Sequence, residues 1–176
     1  MLTLTTAQLS RIWRYAPVAR INAQLPYLSA SLVRADITTP PRACMYLAQL
    51  GHECAEGRYL EELASGAAYE GRKDLGNTQP GDGRRFKGRG AIQLTGRANY
   101  AAAGADLGLE LVTHPELAAT LPHAFELAAW FWRKHALNTF GDSCDVETCT
   151  RRINGGRNGL AERLAYYERA REVLGC

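Results

Sequence analysis

The chain has 176 residues, 46% of them hydrophobic and 22% charged, with a formal net charge of +3. That length fits one domain with a real hydrophobic core, and the composition is ordinary for a globular protein. The mild basic excess suits an anionic polymer, and no apolar run approaches the roughly 18–20 residues of a membrane span. The segment Met1 to Gln8 lacks a basic stretch followed by an apolar one, so no secretory leader is expected. Work outside the cytoplasm would then need another route of release.

Five cysteines are present: Cys44, Cys54, Cys144, Cys149 and Cys176. The odd count and missing leader argue against a disulfide framework. Cys44 and Cys54 fall in an apolar pattern and read as small buried hydrophobes. Cys144 and Cys149 lack the second pair that a zinc site needs, so no metal is expected.

Helical spacing of Leu9, Ile12, Trp13 and Ala16 predicts a first helix over 5–15, capped by Thr5 or Thr6. A second apolar segment runs over 17–35, with Pro26 as a break or kink. Thr38-Thr39-Pro40-Pro41 is a helix start, and Ala43, Tyr46, Leu47, Leu50 and Cys54 mark one apolar face behind it. Gly57 is the expected stop. From Ala64 to Gly83 the residues predict a long surface loop with at most a short hairpin. Residues 85–100 begin extended and enter a helix that closes at Gly108. His114-Pro115-Glu116 opens a short turn, and Thr120-Leu121-Pro122 starts a helix whose Phe125, Trp130, Phe131 and Trp132 read as core. A short helix over 145–153 breaks at Asn154-Gly155-Gly156, and the last helix starts at Asn158 or Gly159.

Four glutamates, Glu53, Glu56, Glu61 and Glu62, fall within ten residues at the end of the third helix. Two carboxylates on one cleft are what acid/base hydrolysis of a sugar bond requires. On an unbroken helix Glu53 and Glu62 would lie on opposite faces, about 13 Å apart along the axis, so they can share a cleft only if the chain turns. Glu56 neighbours Glu53 even on a straight helix and is the local rival. Other chemistries fit poorly. A zinc-protease reading of His52-Glu53 needs a histidine where Glu56 stands. No Gly-x-Ser-x-Gly surrounds a serine. Cys54 sits on the apolar face, where a thiol stays neutral. The glycines around Arg89 match no phosphate loop.

Gly51-His52-Glu53, Glu61-Glu62, the block from Phe86 to Tyr100 with its Gly88-Arg89-Gly90-Ala91-Ile92-Gln93-Leu94-Thr95 core, and Arg151-Arg152-Ile153-Asn154-Gly155-Gly156 together resemble glycoside hydrolase family 19. That family holds chitinases and phage endolysins, and the compact loops resemble the endolysin branch. The resemblance implies an inverting hydrolase with a mainly α, lysozyme-like single domain of about 7–9 helices and a cleft between two lobes. It would span residues 1–176 with no separate cell-wall-binding domain. Carried over residue by residue, Glu53 matches the general acid, Glu62 the base with Glu61 its nearest competitor, and Thr95 the hydroxyl that helps hold the attacking water. Gln93, Asn99 and Asn154 match polar cleft residues, with Tyr100 beside them, and Lys87 lies within reach of substrate. Arg163 resembles an arginine that keeps the base charged. After Glu53 the chain carries Cys54-Ala55-Glu56-Gly57 where relatives often have Thr-Gly-Gly, which leaves the turn and the role of Glu56 open.

The expected acid, at the inner end of an apolar helix, should hold its proton through desolvation, and a base in a polar loop should stay ionised. No cofactor or metal is implied. The expected partner is the glycan strand of peptidoglycan, with chitin as the alternative. The expected form is a monomer without membrane insertion, made in the cytoplasm and acting on the wall after release through a pore. A glycan-binding module without activity would have lost the carboxylate at 53 or 62, and both are present. A nucleic-acid binder is not expected, because the arginines alternate with acids.

Overall fold

A computed structural model describes residues 3–176. Nine α-helices form among them: α1 (Thr6–Ile12), α2 (Val18–Arg34), α3 (Pro40–Glu53), α4 (Asp82–Arg85), α5 (Arg97–Leu107), α6 (Leu121–Lys134), α7 (Asn138–Asp142), α8 (Val146–Asn154) and α9 (Leu160–Leu174). Strand pairing among the described residues is limited to two isolated antiparallel bridges, Glu61 with Arg89 and Arg89 with Leu94. The mainly helical class holds. No helix among the described residues is long and apolar enough to cross a membrane.

α3 is the centre of the body. Nine consecutive residues, Ala43 to Gly51, are buried, so it is covered on every side and not on one apolar face alone. It packs chiefly along α9 and also on α7, while α2 lies on α6 and α1 bridges α2 and α9. Pro40 and Pro41 occupy its first turn, where their missing donors cost nothing. Thr39 takes the extended cap conformation, without a side-chain cap bond.

Three local readings change. α1 stops at Ile12, short of residue 15, with Thr5 and Gln8 forming a reciprocal capping box at its start. α2 runs unbroken through Pro26. Pro26 and Asn22 are both exposed, so the carbonyl that Pro26 cannot satisfy faces water. The loop over 64–83 carries two single 3₁₀ turns, Ala67–Tyr69 and Lys73–Leu75, before α4.

The cysteines also depart from expectation. Cys44 in α3 pairs with Cys176, the last residue, as a disulfide across 132 positions. Spacing along the chain carries no sign of a contact at that separation; only the packing of α9 on α3 brings the two together. Cys54 and Cys149 are buried thiols and Cys144 is exposed.

Candidate active site

Glu53 is the last residue of α3, and the chain leaves the helix sharply. Ala55, Glu56 and Gly57 all take left-handed backbone conformations, with φ of 46, 56 and 75°. For residues other than glycine each such position costs roughly 1–2 kcal/mol. Local bonds offset this: Glu56 N–H reaches Gly51 O at 2.9 Å, and Tyr59 N–H reaches Cys54 O at 3.0 Å. Gly57 is required twice, by its φ and because a Cβ there would lie 1.9 Å from Gln24 Oε1. The turn thus begins at Ala55, two residues ahead of the expected stop.

Glu56 is an anchor of this turn. It is 2% exposed, and its carboxylate accepts from Tyr15 N–H at 2.6 Å and from the Tyr166 hydroxyl at 2.9 Å. It ties the turn to the segment that follows α1 and to α9. Cys54 is also spent structurally: Sγ donates to Leu50 O and accepts from Gly57 N–H, and burial pushes the thiol up to about 12.

Past the turn, Glu61 and Glu62 lie on an extended segment paired with Arg89, so their side chains point to opposite sides. Glu61 is neutralised by Arg89 at 3.0 Å and Lys87 at 3.2 Å. Among the described residues no cation pairs with the Glu62 carboxylate. Oε1 accepts from the Tyr69 hydroxyl at 3.1 Å and Oε2 from Gly88 N–H at 3.0 Å. Desolvation and the neighbouring Glu62 hold the Tyr69 hydroxyl above its ordinary range, so it stays a donor. Gly88 allows this approach, since a Cβ there would lie 2.8 Å from Gln93 Oε1 and 3.2 Å from Glu62 Oε2.

A chain of contacts joins the two carboxylates. Tyr59 folds back on Cys54, the neighbour of Glu53, and the Gln93 amide donates to Tyr59 O at 3.3 Å and Gly90 O at 3.1 Å. Gln93 and Glu62 then converge over Gly88. Gln93 itself is left-handed, with φ of 54°, and the Thr95 hydroxyl donates to its carbonyl at 2.9 Å. With its proton so directed, the half-buried Thr95 oxygen presents lone pairs. Asn99, in the first turn of α5, donates to Thr95 O at 2.8 Å.

Glu53 is held differently. Arg163 Nη2, from α9, donates to Glu53 Oε1 at 2.5 Å, and Oε2 makes no hydrogen bond among the described residues. The arginine was expected to serve the base; it meets the assigned acid instead, because α9 packs along α3 while Glu62 lies across the turn. Being 1% exposed, Arg163 has no surface to offer a glycan. Tyr100 is corrected likewise. It is fully buried, its hydroxyl donates to Lys87 O at 2.7 Å and accepts from Arg89, and burial raises it to about 12. Lys87 donates to Glu62 O at 2.9 Å and so pins the segment that carries the carboxylate. Asn154 braces its own loop, donating to Asn158 O and accepting from Gly156 N–H. That loop meets the end of α3 through Gly159, which lies against the His52 ring, and His52 pairs with Glu162 at 2.6 Å.

Sequence reasoning missed Tyr69 and Gly88 as partners of Glu62. It also missed Gln49, which is fully buried one helical turn before Glu53 and bonded to Arg163. Gln49 left a trace, as a polar residue four positions before Glu53 in an apolar helix, and Gly88 another, as a glycine that lets a ligand or another segment approach the backbone. A cavity of about 500 Å³ between α2, α5 and α6 is lined by Arg34, Asp106 and Trp130 and touches neither carboxylate.

Residues 35–146 match the family model described as chitinase class I of glycosyl hydrolase family 19. The chain belongs to glycosyl hydrolase family 19. A family 19 domain-containing protein of Haemophilus influenzae is 31% identical over 172 residues, covering 80% of this chain and 84% of that protein. An endochitinase of Arabidopsis thaliana, At2g43610, is 41% identical over 129 residues, covering 73% of this chain and 44% of the plant protein. The family 19 chain thus spans under half of that plant relative. In fold it is similar to chitinase C of Streptomyces griseus, with a TM-score of 0.77 at 23% identity over 98% of this chain and 93% of that one. It is also similar to a class IV chitinase of Zea mays, with a TM-score of 0.74 at 21% identity over 98% and 93%.

Proposed function

We propose that this family 19 glycosidase hydrolyses β-1,4 bonds in polymers of N-acetylglucosamine-type sugars, with Glu53 as general acid and Glu62 as general base. The observation that carries the reading is the difference between the two carboxylates. Both oxygens of Glu62 accept from neutral donors, so its carboxylate carries no cation among the described residues and faces its partners as an acceptor. Glu53 is fixed through Oε1 alone, which leaves Oε2 as the oxygen able to carry a proton. In the step, Glu53 Oε2 gives its proton to the glycosidic oxygen as the bond from that oxygen to the anomeric carbon breaks. Water attacks the anomeric carbon from the opposite face and passes its proton to Glu62, with Thr95 steadying the water. The new reducing end has inverted configuration.

The endochitinase relatives support chitin as substrate. A second reading, peptidoglycan glycan strands cut by an endolysin-type enzyme released through a pore, is favoured by charge. Arg58, Lys73 and Arg84 have no carboxylate partner among the described residues, and all fall between positions 58 and 84 of the chain, the stretch that includes Glu62. Mass analysis of products from chitin hexamer and from purified peptidoglycan separates the two. Chitin fragments alone support the first reading, and disaccharide-peptide fragments with inert chitin support the second. No cleavage of either overturns both.

A further inference from the structure

Arginine–carboxylate pairs are often bidentate, with two guanidinium nitrogens on two carboxylate oxygens. The pair at Glu53 is not. Arg163 Nη2 reaches Glu53 Oε1, while Nη1 donates to Gln49 Oε1 at 2.5 Å. Gln49 is fully buried and aimed from its other end: its Nε2 donates to Thr150 Oγ1 at 3.3 Å, and Thr150 in turn donates to Val146 O at 2.8 Å in α8. The row Thr150–Gln49–Arg163–Glu53 therefore runs from α8 through α3 and α9 to the candidate acid.

We infer that Gln49 is a positioning residue for the acid: by occupying one arm of Arg163 it restricts that arginine to a single bond with Glu53, keeping Oε2 free to hold and deliver the proton. The inference rests on the reading of Glu53 as acid. Released from Gln49, the guanidinium can swing to grip both carboxylate oxygens and so take up Oε2, the oxygen that delivers the proton. Because Gln49 is neutral, it aims the arginine without adding a second negative charge.

The other titratable groups around the row do not supply this control. On α3 and its turn these are Cys54, held neutral with its thiol at about 12, and Glu56, which is committed to Tyr15 and Tyr166. On α8 it is Cys149, also pushed by burial to about 12. On α9 they are Tyr166, which burial and Glu56 hold well above its ordinary range, and Glu162, which pairs with His52.

The test is the pH dependence of kcat/KM on chitin hexamer or peptidoglycan, whichever the protein cleaves. The alkaline limb reports loss of the acid's proton. Gln49→Met keeps volume but frees Arg163; its limb is expected to move down by roughly one pH unit, with kcat at neutral pH falling about tenfold and KM unchanged. Gln49→Glu keeps the acceptor and adds a charge that competes for Arg163; its limb is expected to move up by roughly one unit. Thr150→Val should act in the direction of Gln49→Met, more weakly, and carries the test if Gln49→Glu does not fold. A structural role alone would not shift the two Gln49 variants in opposite senses. Unshifted limbs, or shifts of one sign, in folded Gln49→Met and Gln49→Glu would overturn the inference, as would an unshifted limb in both Gln49→Met and Thr150→Val. Glu53→Gln is run beside them: if it keeps its activity, the acid assignment fails, and if it is dead while the Gln49 limbs stay put, only the positioning role fails.

Discussion

Glu56 and Asp82 are the two buried carboxylates whose work is in the fold. Converting Glu56 to Gln removes the charge from its bonds to Tyr15 N–H and Tyr166 and is expected to cost about 1–2 kcal/mol in urea denaturation, while the folded protein keeps activity within a few-fold. Strong loss of activity at unchanged stability would return Glu56 to the list of bases. Asp82 is 1% exposed and takes two bonds from Arg97, whose contact holds its carboxyl below the usual carboxylate range. A depressed value in the fold means stability that is present above the unfolded value of about 3.9 and is lost as pH falls through the folded one. The urea midpoint of Asp82→Asn should therefore lie well below that of the parent at pH 7, with the gap closing below about pH 4. A gap constant with pH would contradict that role.

The element that matters most is the turn from Glu53 to Glu62 with the Gly88 segment laid beside it. Gly57→Ala meets Gln24 and a left-handed φ, so a loss of about 2 kcal/mol or more is expected. Gly88→Ala is a cleaner probe. Its backbone is ordinary, and the new Cβ would press on Gln93 Oε1 and Glu62 Oε2. Turnover is expected to fall about tenfold or more with the melting temperature nearly kept; parent-like turnover would show that neither side chain needs its present place. Here the sequence was readable in kind but not in detail. Period and capping gave α3, α6, α8 and α9, since their apolar and cap residues act locally. α2 passing through Pro26 was not readable, because what decides it is that the freed carbonyl faces water. The early turn at Ala55 was not readable either, because the bond from Glu56 N–H to Gly51 O and the anchoring of the Glu56 carboxylate by Tyr15 and by Tyr166 of α9 hold it.

At the scale of the molecule, the packing of α9 on α3 does two things at once. It sets Arg163 against Glu53, and it brings Cys176 to Cys44. A link across so long a loop restricts the unfolded chain, typically by roughly 2–5 kcal/mol, so reduction or Cys176→Ser should lower the melting temperature by several degrees. An unchanged melting temperature would mean that the C-terminus adds nothing as a staple. The partners of Arg163 and of Cys44 were both invisible in spacing, since each joins residues more than a hundred positions apart. The family itself was legible, because Glu53 and the Glu61-Glu62 pair sit inside blocks specific to it. The direct test of the two-carboxylate account is the initial rate of reducing-end release from N-acetylglucosamine hexamer and from peptidoglycan by Glu53→Gln and Glu62→Gln, each checked for native folding. On the polymer the parent cleaves, both variants should lose about a thousandfold or more in kcat with little change in KM; near-parental turnover in either folded variant would contradict the account.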